Sequence, residues 1–147
     1  MNSPQPYLTV ASILTGFCIS VFMFRIQREL SVRDRHPDWP NWLAWADYLI
    51  VATIVLSVVL VILPLVAVPA PGRAIYSVAA GACAAASLML LAYPFAILDH
   101  YRIEIGARRG EKPQARHKGE PIERIIVVMA GSVAAITFAA IVFAWNH

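Results

Sequence analysis

Four long stretches of this chain, residues 7–24, 48–68, 74–98 and 125–145, contain no Asp, Glu, Lys, Arg or His. That silence constrains the fold more than any motif does. An ionisable side chain in hydrocarbon is expensive, so spanning segments shed such groups unless they use them. Each stretch also has about the length, roughly 20 apolar residues, that crosses a bilayer as a helix. A helix satisfies its own backbone hydrogen bonds, which lipid cannot do for it. The expected fold class is an all-α integral membrane protein, with four transmembrane helices in an up-down bundle.

Composition closes off the alternatives. Of 147 residues, 59% are hydrophobic and only 14% are charged, with a mean hydropathy of +0.64. Soluble domains carry about 25% charged residues, so this chain cannot cover a water-facing surface. A soluble enzyme, a disordered chain and a nucleic-acid-binding domain are excluded on that ground, despite a pI near 9.1. What remains outside the four stretches is too small for a second core, because domains below about 40 residues seldom fold unaided. One domain, residues 1–147, is expected.

The basic residues carry the topology. Arg25, Arg28, Arg33 and Arg35 fall in the first connection, residues 25–47. Arg102, Arg108, Arg109, Lys112, Arg116, Lys118 and Arg124 fall in the third, residues 99–124. The second connection holds only Arg73, and the two termini hold none. Short cytoplasmic loops concentrate Lys and Arg. Loops one and three are therefore expected in the cytoplasm, with both termini outside, in a plasma (inner) membrane. The residues before the first span carry no basic group, unlike a signal peptide, so that span reads as retained. Glu29, Asp34, Asp38 and Asp47 nearly balance the first loop, which argues against a strong anionic-lipid patch there.

Local signals refine the picture. Arg25 and Glu29 stand four apart, so helix one is expected to run about two turns beyond the bilayer and to stop at His36-Pro37. Pro64 should kink the second span or loosen its last turn, and Pro94 should kink the third. The segment 99–124, broken by Gly and Pro, reads as a mostly irregular loop. Trp39, Trp42, Trp45 and Trp145 suit headgroup-level anchors.

Small residues recur at helical spacing. Ser12, Gly16 and Ser20 form one stripe. Gly81 and Ala85 lie in an alanine-rich run that points to a central third helix. Gly131, Ala135 and Ala139 form another stripe. Such stripes let helices approach closely. Three of four helices carry them, which is more than a single bundle needs, and the surplus suggests association.

Chemistry is scarce. No histidine lies within a span, no His pair has metal-ligand spacing, and the span hydroxyls lack a base that would activate them. They are expected to bond back to their own helices. Asp99, His100 and His36 are a candidate metal or acid–base site on the cytoplasmic face, with ordinary interfacial polar residues as the alternative. Cys18 and Cys83 read as inert packing. No catalytic residue, cofactor or metal is assigned. The expected function is non-enzymatic: an accessory or assembly subunit of an inner-membrane complex, with the bilayer and either itself or another membrane protein as partner. The alternative is a homo-oligomeric channel or pore-forming effector. Arg25, Arg28, Arg102, Arg108 and Arg109 would be docking or pore-mouth residues.

Overall fold

The computed structural model describes residues 3–35, 44–108 and 116–147, with side chains for 3–31, 34, 44–98 and 122–147. The described residues are helical almost throughout. Helix α1 spans Gln5–Arg35, α2 spans Ala46–Val55 and α3 spans Leu63–Ala67. A π-helical segment, Leu56–Ile62, joins α2 to α3. Helix α4 covers Arg73–Arg108 and α5 covers Arg116–Asn146. Four helices are long and apolar enough to cross a membrane: Gln5–Ser31, Ala46–Ala67, Arg73–Leu98 and Ile122–Asn146.

Proline chemistry explains the interruptions. Pro6 sits in the first turn of α1, where a missing N–H is harmless. Pro64 has no N–H for the Leu60 carbonyl, and its ring would press on that carbonyl in α geometry. Widening the preceding turn relieves the clash, and the Leu63 N–H accordingly reaches back five residues to Val58. Thus Pro64 produces a π-helical stretch before itself rather than a frayed turn after it. Val68 is extended, at φ −104° and ψ 110°, as the residue before Pro69 must be. Pro94 lies inside α4, which continues unbroken to Arg108.

The first connection begins as expected, and the third contains more helix than its Gly and Pro content suggests. Helix α1 does run to Arg35. Helix α4 carries ten residues past Leu98, and α5 starts at Arg116. The segment 99–124, read from the sequence as a mostly irregular loop, is therefore largely two helix ends.

Helix α4 is the centre of the bundle. It packs against α5 along its length, and against α2, the π-helical segment and α1 on its other sides. Of its apolar window 44% is buried, against 6% for α5. The cause is its row of small buried residues, Ala79, Ala82, Ala85, Ala86 and Ala96. Lipid tails are as apolar as leucine, so close contact rather than water exclusion holds such helices together.

The core has two parts. Cys18, Leu49, Ile50, Tyr93, Ala96 and Ile97 form one. Ala11, Val61, Leu65, Tyr76, Ala79 and Ala82 form the other. The two cysteines are free.

Candidate functional site

Among the described residues, the densest polar chemistry lies where α1, α2 and α5 meet. Arg25 comes from the last apolar turns of α1, Asp47 from the first turn of α2, and Glu123 from α5 just before its apolar run. All three are buried, and Glu123 is fully so.

Arg25 faces Asp47 with its planar fork. Its Nε donates to Asp47 Oδ1 at 3.2 Å and its Nη2 to Oδ2 at 3.2 Å. Two parallel charge-assisted bonds fix both distance and orientation. Nη1 lies 3.2 Å from Glu29 Oε1, one turn along the same helix. Arg28 approaches that carboxylate from 3.7 Å. The i,i+4 spacing seen in the sequence thus serves to aim Arg25 at α2.

Glu123 does a different job. Helix α2 has no capping side chain of its own, because Trp45 precedes it in helical geometry. Glu123 Oε1 instead accepts the Ala46 backbone N–H at 2.9 Å. A carboxylate from another helix therefore caps α2, where the helix dipole favours negative charge. Asp47, in that same first turn, adds to the effect. Beside the cap, the Arg124 guanidinium lies 5.2 Å from the centre of the Trp45 ring, and that ring lies 5.6 Å from Tyr48. The clamp joins three helices through three Arg (25, 28 and 124) and three carboxylates (29, 47 and 123).

The far end of the bundle is held by neutral groups. Tyr7 and Tyr76 rings are 6.0 Å apart. Asn146 Nδ2 donates to the Val142 carbonyl at 2.8 Å and reaches Ser77 Oγ at 3.5 Å. Between the ends, Ser20, Thr53, Ser87 and Ser132 bond to carbonyls four residues back, as isolated hydroxyls in a span do. The buried hydroxyls of Thr15 and Ser57 find no hydrogen-bond partner among the described residues. Nor do the described residues group three His, Cys, Asp or Glu side chains to hold a metal ion.

The residues singled out from the sequence fall in distinct places. Gly81 and Ala85 are buried. At Gly81 an added Cβ would meet Phe138 Cδ2 at 3.0 Å and the Phe138 carbonyl at 3.1 Å, so α5 lies directly on it. Ser12, Gly16, Ser20, Ala135 and Ala139 are exposed and Gly131 is half-buried. An added Cβ at Gly16 or Gly131 would meet nothing within 4 Å. Trp45 is half-buried against Arg124, and Trp145 packs on the Ala79 side of the core. Trp39, Trp42, Arg109 and His36 lie outside the described residues. Arg102, Arg108, Asp99 and His100 belong to α4, but their side chains lie outside them too. Arg25 is directed into the bundle, and Arg28 beside it is half-buried.

No motif in the sequence marks Asp47 or Glu123 as a site residue. Their only sequence signal is position, each one or two residues before an apolar run, level with Arg25 just after one. Comparison with protein families, with curated proteins and with solved structures finds no match.

Proposed function

We propose that this chain is a non-enzymatic accessory or assembly subunit of an inner-membrane complex. One observation carries the reading. The stripes on α1 and α5 stay open while the Gly81 face of α4 is filled from within the bundle. A face of Gly, Ala and Ser lets another helix come close, and two such faces are left over. The polar clamp supports the same reading, since Arg25–Asp47 and Glu123–Ala46 join this chain's own α1, α2 and α5. In this proposal the bundle is up-down, both termini are outside, and loops one and three are cytoplasmic. The meeting of Arg25, Asp47 and Glu123 at one end, and of Tyr7, Tyr76, Ser77 and Asn146 at the other, supports the up-down arrangement, and the Lys and Arg of the two loops support the sidedness.

The test is site-specific photocrosslinking in native membranes from Gly16 and Gly131. A discrete adduct with a different membrane protein is expected from at least one of them. Adducts with lipid alone would overturn the proposal. The alternative, a homo-oligomeric channel, rests on the same open faces. It requires adducts between copies of this chain from both positions, together with conductance in planar bilayers.

A further inference from the structure

Arg124 differs from its neighbours in the clamp. Arg25 and Arg28 each lie against a described carboxylate. Arg124 is exposed, and no carboxylate among the described residues lies within ion-pair distance of it. The adjacent Glu123 is turned away, with Oε1 on the Ala46 N–H. Its guanidinium carbon lies over the Trp45 ring, 5.2 Å from the centroid. A cation–π contact consumes none of the guanidinium N–H donors, so the exposed group keeps them for an acceptor. Trp45 in turn lies on Tyr48, which is 52% exposed at the start of the second span. The two rings are amphipathic and stand at the boundary between the apolar span and the polar clamp, the level at which headgroups lie.

We propose that Arg124, Trp45 and Tyr48 form a binding site for the phosphate of a membrane phospholipid. Arg124 donates two parallel N–H bonds to the phosphate oxygens. Trp45 holds the guanidinium in place, and Tyr48 lies against the glycerol and first acyl carbons. Zwitterionic and anionic phospholipids alike carry a phosphodiester with the one negative charge that a single guanidinium pairs with. Recognition is therefore of the phosphate group and not of net lipid charge. This places one defined site on a protein whose first loop, nearly neutral overall, offers no broad basic patch for anionic lipid.

The test is a lipid titration of the purified, delipidated protein by native mass spectrometry. Phosphatidylglycerol, phosphatidylcholine and a phosphate-free galactosyl diacylglycerol with matched chains are compared, with inorganic phosphate as a fourth arm. Both phospholipids are expected to bind within a few-fold of each other and well above the glycolipid. Free phosphate, lacking chains, is expected not to compete. Arg124→Gln should weaken both phospholipids about tenfold, as fits loss of hydrogen bonds to a charged group, and leave the glycolipid unchanged. Arg124→Lys should recover only part, since Lys neither forks nor stacks as Arg does. Thermal unfolding of each variant without added lipid separates lost binding from lost fold. Equal binding of the glycolipid would overturn the proposal, and so would undiminished phospholipid binding by Arg124→Gln. Binding of phosphatidylglycerol with phosphatidylcholine no better than the glycolipid would also overturn it, in favour of diffuse charge attraction.

Discussion

Replacing Gly81 by alanine tests whether α4 is held by close backbone approach. The new methyl would lie 3.0 Å from Phe138 Cδ2, 3.1 Å from the Phe138 carbonyl and 3.3 Å from Val142 Cγ2. The phenyl edge and the valine methyl can swing aside. The carbonyl cannot, because it belongs to the α5 backbone, so α5 must shift by a few tenths of an ångström along a shared face. Overpacking of this kind costs about 1–3 kcal/mol. Alanine in place of glycine in a helix returns about 0.5–1 kcal/mol. The net expectation is a destabilisation of about 1 kcal/mol. Gly16→Ala keeps the helix-propensity gain without the clash, since nothing lies within 4 Å of its added Cβ. It should be stabilised by about 0.5–1 kcal/mol. The two substitutions are chemically identical, so the difference between them isolates packing. Reversible unfolding in mixed micelles, followed by circular dichroism, measures both. Equal effects at positions 81 and 16 would refute the assignment of α4 as the tightly packed centre.

Three further perturbations address the polar groups. Arg25→Ala strands the Asp47 carboxylate, and breaking a buried pair costs about 3–5 kcal/mol. The low end is expected because the Asp47 side chain keeps 11% exposure, and a double Arg25→Met, Asp47→Leu variant should recover most of the loss in the same unfolding assay. Glu123→Ala leaves the Ala46 N–H without its acceptor and should cost about 1–3 kcal/mol. Glu123→Gln, which retains a carbonyl oxygen at that place, should lose less, and hydrogen exchange at Ala46 reports the difference directly. Ser57→Ala removes a buried hydroxyl that has no partner among the described residues. It should leave stability unchanged or raise it by about 1 kcal/mol, and a loss larger than that would show the hydroxyl to be bonded.

The four spans were legible because lipid imposes a one-dimensional rule: an apolar run of sufficient length becomes a helix whatever it packs against. The central place of α4 was legible too, since Ala79, Ala82, Ala85 and Ala86 admit neighbours on several sides. The clamp was not. Its depth in the membrane could be read, for Arg25 follows one apolar run while Asp47 and Glu123 precede two others. Its rotation could not. One residue along a helix turns a side chain by about 100°, from the bundle to the lipid. Arg25 and Arg124 show the consequence. Both are arginines at a span end with a carboxylate nearby in sequence, and both count equally as topological signals. One is buried in a fork with Asp47, and the other stands exposed on Trp45. The difference lies in which residue at the start of the second span each one faces, and that is set by the packing of α1 and α5 around α4. The same rule that makes the spans easy to find is indifferent to that rotation. The residues that distinguish this bundle from any other of its composition therefore stand at the ends of its helices, where charge is permitted and packing decides its partner.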